Sequence, residues 1–449
     1  LSLVSVFKAY DIRGIVPTEL DAELAYRIGR ATARFLRAHS LVVGRDARTH
    51  SPELGEAMVR GIRDEGTSVL DIGLAATPML YHAVDALGTD GGIMLTASHN
   101  PGQYNGMKIC GRSAVPIGEA SGLREIERIA GELTSEPGPA RGGRESRDIV
   151  DGYVRQALAV ASGEVAPLRV AVDCANGMAA VGLEPLLDRL PLKVERLYFE
   201  PDGTFPNHPA DPLKLENLRD VSAAVKRVGA DFGVAFDGDA DRAVFVDERG
   251  EPVPSDLMTG VLARGQLARR PGGTVLYDLR SSWATADEIR AAGGVPLMCR
   301  VGHSFVKAQM RETGAVFAGE LSGHFYFRFS DRFVADDGIA AFVALASTLS
   351  RAGRPLSEIV APLRRYSASG EINRHVDDPR AIIEAVAKEH AEAKEISRLD
   401  GLLVRYEDWW FNLRPSNTEP LLRLNLEAKT LARMETQRDA LLARIGGRP

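Results

Sequence analysis

The stretch Thr96-Ala-Ser-His-Asn-Pro-Gly-Gln-Tyr-Asn-Gly-Met-Lys108 decides how the rest of the chain is read. An apolar run, Gly92-Ile-Met-Leu95, precedes it and is short enough for a buried strand. The switch to small, polar and turn-forming residues is abrupt. Ser98 stands between the apolar run and the Asn100-Pro101 turn signal, with His99 beside it. A hydroxyl at the end of a buried strand is expected to be exposed to a cleft, because ligands of open α/β sheets bind beyond the carboxyl ends of the strands. The competing reading is a plain Ser/Asn loop that closes a strand.

Working outward, the same pattern recurs. Leu41-Val-Val-Gly-Arg-Asp46, Arg169-Val-Ala-Val-Asp-Cys-Ala-Asn-Gly177 and Thr274-Val-Leu-Tyr-Asp-Leu-Arg280 are short β-type runs with Asp or Gly at their exits. Each is followed by a helical stretch and a second apolar run whose exit loop is polar: Ser98-His-Asn-Pro101, Asp237-Gly-Asp-Ala-Asp-Arg242 and Gly319-Glu-Leu-Ser-Gly-His324. Three units of roughly a hundred residues therefore present one functional loop each. Strands alternating with helices imply mostly parallel strands within mixed sheets. Beyond Pro362 the pattern changes: Leu402–Tyr406, Trp409–Arg414 and Leu422–Leu426 read as antiparallel strands, covered by a terminal amphipathic helix carrying Leu431, Met434, Leu441, Leu442 and Ile445. The fold class is thus α/β, with three similar domains (1–148, 149–250 and 251–366) and a smaller α+β domain (367–449). Gly131 to Asp148, rich in Gly, Pro, Ser and Arg, reads as a linker or exposed loop, and Ser367-Ala-Ser-Gly370 as a hinge.

Bulk properties exclude several function classes. The chain has 449 residues, 45% of them hydrophobic, and a net charge of −6. Without a basic excess there is nothing to neutralise a nucleic-acid backbone or an anionic membrane. Cys110, Cys174 and Cys299 are odd in number and far apart, which argues against a disulfide framework or a zinc site and fits a reducing cytoplasm. No apolar run approaches the length of a membrane span, and Ile339–Ala346 reads as a buried core helix. No export signal is evident, and Leu1 is an unusual first residue.

Asp237, Asp239 and Asp241 alternate with small residues. Three carboxylates so close repel one another, and a hard divalent cation such as Mg²⁺ is the usual compensation. An EF-hand loop would need Gly where Arg242 stands and helices where the flanks Phe232–Phe236 and Ala243–Val246 read as strands. A solvated acidic turn is the remaining alternative. Gly319–His324 offers a carboxylate, a hydroxyl and an imidazole suited to sugar hydroxyls, or else is a polar turn before Phe325-Tyr-Phe327. Arg414-Pro-Ser-Asn-Thr418 supplies a guanidinium, hydroxyls and an amide for a phosphate. His303 is either a proton carrier or a residue at a helix start.

Together with Tyr10-Asp-Ile-Arg-Gly14, Tyr104-Asn-Gly-Met-Lys108 and Arg414-Pro-Ser-Asn-Thr-Glu-Pro420, these motifs resemble the α-D-phosphohexomutases over essentially the whole chain. Leu321 in the sugar loop is more similar to the phosphomannomutase/phosphoglucomutase branch than to the phosphoglucosamine branch, which stays as the alternative. The resemblance implies four domains around a central cleft, a cytoplasmic monomer or dimer, and reversible phosphoryl transfer between O1 and O6 of hexose phosphates. Ser98 would carry the phosphoryl group and would share Mg²⁺ with Asp237, Asp239 and Asp241, with Arg242 assisting. Lys108 or His303 would be general base and acid, and Arg13 and His99 would hold the serine phosphate. Tyr10, Glu320, Ser322 and His324 would contact the sugar, and Arg414, Ser416, Asn417 and Thr418 the other phosphate, with hexose 1,6-bisphosphate as activator. Arg280 stands where many relatives are expected to carry Lys. A metal-dependent phosphatase using Ser98 would need a second metal, and the sequence offers no evident second cluster for one.

Overall fold

The Gly91–Leu95 strand is buried along its whole length, flanked in parallel by Ser40–Arg45 and in antiparallel by Tyr104–Gly111. Burial on both faces explains why it reads as a continuous apolar run rather than an alternating one. The computed structural model describes residues 6–134, 136, 141–415 and 421–448. Within them the first sheet runs Ile12–Ile15, Tyr104–Gly111, Gly91–Leu95, Ser40–Arg45, Ser68–Leu74, Arg144–Ser146. The second runs Pro252–Val253, Ala243–Asp247, Phe232–Phe236, Arg169–Asp173, Lys193–Leu197. The third runs Val295–Cys299, Thr274–Asp278, Phe317–Gly319, Phe325–Arg328, Val334–Asp336.

These sheets are less parallel than the strand–helix alternation suggests. In each, the inner strands pair in parallel and one of them then turns back as an antiparallel hairpin. The three hairpins are Gly91–Leu95 with Tyr104–Gly111, Phe232–Phe236 with Ala243–Asp247, and Phe317–Gly319 with Phe325–Arg328. Each functional loop is the connection of one hairpin, so three loops leave their sheets at equivalent places. Strands on both flanks of the aspartate loop also remove the EF-hand reading. Part of the expected 131–148 linker is a strand, Arg144–Ser146, at the edge of the first sheet. Its exposed, polar residues carry no apolar alternation that would announce it. The two-residue strand Pro252–Val253 lies past the expected break at 250 yet pairs in the second sheet.

The fourth sheet is antiparallel throughout: Ser367–His375, Leu421–Ala428, Trp409–Pro415, Leu402–Arg405, Glu395–Ser397. Helix Leu431–Ile445 covers it, and the expected hinge at 367–370 is the first part of its edge strand. Core packing separates this domain from the others. One apolar cluster runs from Val42 through Tyr153, Phe232 and Phe317 to Leu363, joining the first three sheets. The fourth has its own core around Val386, Phe411, Leu424 and Ile445. A small apolar patch, Leu279, Leu403 and Trp410, connects the two bodies. Helix Gly338–Ala352 is buried from Gly338 to Leu349, as the apolar run predicts.

Candidate active site

Ser98 is buried, only 1% exposed, which corrects the expectation of a hydroxyl open to a cleft. Its backbone is left-handed at φ 50°, a region that few residues other than glycine adopt. Neighbours hold it there. The Ser98 N–H donates to Thr96 Oγ1 at 3.0 Å, and buried Arg48 donates to the carbonyls of Ser98, Asn100, Pro101 and Tyr104 at 2.6–3.0 Å. Arg48 in turn pairs with Asp46 at 3.1 Å and lies over the Phe205 ring of the second domain. Gly238 is required by close approach, since a Cβ there would be 2.4 Å from the Ser98 carbonyl oxygen. The tips of the serine and aspartate loops are thereby pressed together.

The Ser98 hydroxyl donates to Asp237 Oδ2 at 2.7 Å and lies 3.1 Å from His99 Nδ1. Asp237, Asp239 and Asp241 converge with carboxylate oxygens within 4.8 Å of one another. Asp239 accepts from Thr77 and Lys108, both at 2.6 Å, and Asp241 also accepts from Lys108. Asp239 Oδ1 and Asp241 Oδ1 are buried without a hydrogen-bond partner among the described residues. Burial, then repulsion by Asp241 and Asp239, pushes the Asp237 carboxyl well above the usual range. Mutually repelling carboxylates that keep two oxygens free of hydrogen bonds are an oxygen-only donor set that fits a divalent cation. Burial disfavours the charge of Lys108, but the three aspartates outweigh it and hold the ammonium charged.

Arg242 Nε donates to His324 Nε2 at 3.2 Å and stands 3.9 Å from Asp237 and 4.0 Å from Asp241. A backbone bridge between Arg242 and His324 ties the aspartate loop to the sugar loop. Glu320 is buried, accepting from the Gly302 N–H at 2.7 Å and from the Tyr326 hydroxyl. Ser322 Oγ lies 2.9 Å from His324 Nδ1. His303 opens helix His303–Thr313, its ring edge-on to Tyr10, with Nδ1 buried and lacking a hydrogen-bond partner among the described residues. Burial, reinforced by Lys307 and Lys108, lowers the His303 pKa well below the usual 6.5. Arg13 donates to Asp11 at 2.8 Å and to Asn100, which places it against the serine loop.

A cavity of about 590 Å³ gathers these parts. Tyr10, Arg242, Arg280, His303, Glu320 and Arg414 are among its lining, together with Ser322, His324, Glu371 and Arg423. Ser98 and the aspartates connect to it through Arg242 and His324. Arg414 Nε and Nη2 are buried without a hydrogen-bond partner among the described residues. Ser416, Asn417 and Thr418 lie outside the described residues. A larger cavity, about 890 Å³, adjoins at Tyr10 but lacks Arg242, Glu320, His324 and Arg414, so the chemistry is placed in the smaller one.

Arg48, Glu371 and Arg423 belong to the site although their sequence surroundings do not single them out. Asp241, His324 and Asp336 also converge, sharing Asp241 with the first cluster, so no separate set is left for a second metal among the described residues. There the Lys307 ammonium stands 2.7 Å from Asp336 and 4.0 Å from the Tyr81 ring centre, so a side chain supplies the positive charge.

Comparison with known proteins agrees along the whole chain. Four family descriptions match in succession: phosphoglucomutase/phosphomannomutase alpha/beta/alpha domain I over residues 4–136, domain II over 151–250, domain III over 254–366 and the C-terminal domain over 371–444. The chain is 42% identical over 426 residues to a Xanthomonas campestris protein named phosphohexose mutases, covering 94% of this chain and 95% of the relative. It is 39% identical over 441 residues to a Pseudomonas aeruginosa phosphomannomutase/phosphoglucomutase, covering 96% and 93%. The fold is similar to the crystal structure of a phosphoglucomutase/phosphomannomutase family protein from Burkholderia thailandensis, with TM-score 0.90, 36% identity and coverage of 100% and 99%.

Proposed function

Since the chain belongs to the phosphoglucomutase/phosphomannomutase family and is a phosphohexose mutase, we propose that it interconverts the 1- and 6-phosphates of mannose and of glucose through phosphorylated Ser98 and a hexose 1,6-bisphosphate. The observation that carries this reading is the 2.7 Å contact of Ser98 Oγ with Asp237, beside carboxylate oxygens of Asp239 and Asp241 that lack a hydrogen-bond partner among the described residues. A divalent cation, Mg²⁺ in this reading, would be held by the three aspartates and an oxygen of phosphorylated Ser98, and would withdraw charge from the phosphoryl group.

The side chains then divide the remaining work. Arg242, Arg13 and His99 surround the serine loop and hold its phosphoryl oxygens. His303, neutral at physiological pH, takes the proton of the attacking sugar hydroxyl. Lys108 is held protonated by its aspartates and supplies positive charge, or a proton to the leaving serine oxygen, rather than acting as base. Glu320, Ser322 and His324 hold ring hydroxyls in either orientation of the sugar, with Tyr10 closing the side of the cavity. Arg414 turns its unpartnered donors to the distal phosphate, because a guanidinium binds phosphate in a fork. Ser416, Asn417 and Thr418, with two hydroxyls and an amide, would add donors for the same phosphate. We place the domain breaks at 148, 253 and 366, supported by the pairing of Pro252–Val253 in the second sheet.

A coupled assay with mannose 1-phosphate, glucose 1-phosphate and glucosamine 1-phosphate tests the proposal, using Mg²⁺ and a trace of the matching hexose 1,6-bisphosphate. Both hexose phosphates should turn over without release of inorganic phosphate. Turnover of glucosamine 1-phosphate alone would move the chain to the phosphoglucosamine branch. Stoichiometric release of phosphate would make it a phosphatase.

A further inference from the structure

Arg280, Arg414 and Arg423 line one end of the cavity, and a single carboxylate, Glu371, faces all three. Glu371 Oε2 is 3.4 Å from Arg280 Nη1 and 3.9 Å from Arg414 Nη2, and Oε1 is 3.4 Å from Arg423 Nη1. None of these contacts is tight. By contrast, Arg280 grips its neighbour Asp278 through two nitrogens, the shorter bond at 2.8 Å. Arg414 Nε and Nη2 and Arg423 Nε remain buried without hydrogen-bond partners among the described residues. Glu371 follows an irregularity in the pairing of its strand, between Ala368 and Glu371, where Gly370 adopts φ 69°. Its strand belongs to the fourth domain and Arg280 to the third, so the carboxylate also spans the seam between them.

A loosely held anion amid guanidiniums that keep donors free is suited to exchange. Asp278 offsets the charge of Arg280, but without Glu371 the neighbouring Arg414 and Arg423 would lose the carboxylate that faces both, and a phosphate leaving them would have to leave against their mutual repulsion. We propose that Glu371 is a positioning residue that exchanges with the distal phosphate of the substrate: the phosphate displaces it on binding, and it returns to the arginines as the phosphate departs. An intermediate that must let go of one end and turn round needs such a return partner. The proposal rests on the reading of Arg414 as the distal phosphate clamp.

The experiment titrates inorganic phosphate into the Mg²⁺-loaded full chain, comparing wild type, Glu371→Gln, Glu371→Asp and Arg414→Ala, and follows kcat and KM in parallel. Removing the competing charge should tighten the Arg414-dependent phosphate binding by roughly tenfold in the Gln variant. The Asp variant, whose carboxylate is withdrawn by one methylene, should fall between Gln and wild type. In Glu371→Gln, KM and kcat should fall together, whereas simple loss of structure would lower kcat without lowering KM. If neither Glu371 variant tightens phosphate while Arg414→Ala weakens it, the exchange is overturned and the clamp stands. If Arg414→Ala leaves phosphate binding unchanged, the clamp reading fails and this inference fails with it.

Discussion

His303 is the residue whose protonation the mechanism needs most. Its buried Nδ1 has no hydrogen-bond partner among the described residues, and burial with two nearby lysines keeps the ring neutral to lower pH than a free imidazole. A proton acceptor of that kind loses function only as pH falls through its own lowered pKa. We therefore expect kcat/KM to hold down through pH 6.5 and to fall below it. Substrate phosphate also titrates near pH 6, so the variant decides the assignment. His303→Gln should lower kcat/KM by about 10²–10⁴-fold and remove the His303 part of the acid limb. A variant that keeps the wild-type limb and rate would shift the base elsewhere. Side chains of this kind were legible in the chain because their motifs are local: Ser98, the three aspartates and Glu320 all lie in short loops between apolar runs. Arg48 and Glu371 were not. Arg48 reaches Ser98 across 50 residues and Glu371 meets Arg280 across 91, and contacts of that span leave no spacing to read.

Elements place these residues, and two devices within them can be tested. The serine loop hangs on Arg48, which satisfies four carbonyls of that loop. Arg48→Met would strip those carbonyls of a buried donor, at about 1–3 kcal/mol for each one left unsatisfied. A fall in melting temperature with loss of turnover is expected, and an unaltered melt would contradict the role. Helix Gly338–Ala352 is capped by Asp337, which accepts from the Ala340 N–H at 2.8 Å and the Tyr153 hydroxyl at 3.0 Å. Burial pushes the Asp337 carboxyl up to about 7, above the value of an unfolded aspartate. The folded state therefore binds this proton more tightly, and the stability it contributes at low pH is lost as pH rises through 7. Asp337→Ala should cost about 0.5–2 kcal/mol for the cap and about 1–3 kcal/mol for the orphaned hydroxyl. Asp337→Asn, neutral and of the same shape, should cost much less and should flatten that part of the pH dependence, as denaturant titrations at pH 5 and 8 would show. Strands built on apolar runs were readable, whereas Arg144–Ser146 and Glu395–Ser397 are short, polar and largely exposed, so they are defined only by their partners.

The whole molecule consists of a body with a continuous core and a fourth domain with its own. Their seam is a small apolar patch, a few polar contacts such as Trp283 N–H to Glu427 at 2.9 Å, and a cavity of about 340 Å³. So slight a seam suits closure of the fourth domain on the substrate, carrying Arg414 to the distal phosphate. Arg414→Ala should then lose about 1.5–3 kcal/mol, on the order of 10–100-fold in kcat/KM. It should also release bisphosphate and need more activator to stay phosphorylated, so turnover with and without added hexose 1,6-bisphosphate is the check. Three repeated loops and the change of pattern beyond Pro362 make the four-domain plan readable, while the unequal packing between domains emerges only from contacts. In the proposed mechanism Ser98 carries the phosphoryl group through the cycle. The most direct test is to incubate the enzyme with Mg²⁺ and hexose 1,6-bisphosphate labelled in its phosphates, then locate the label by peptide mass spectrometry. Label is expected on Ser98, with its loss to added hexose monophosphate and formation of labelled bisphosphate, and neither label nor turnover in Ser98→Ala. Near-wild-type turnover in the alanine variant, or label that stays on Ser98 when hexose monophosphate is added, would contradict it.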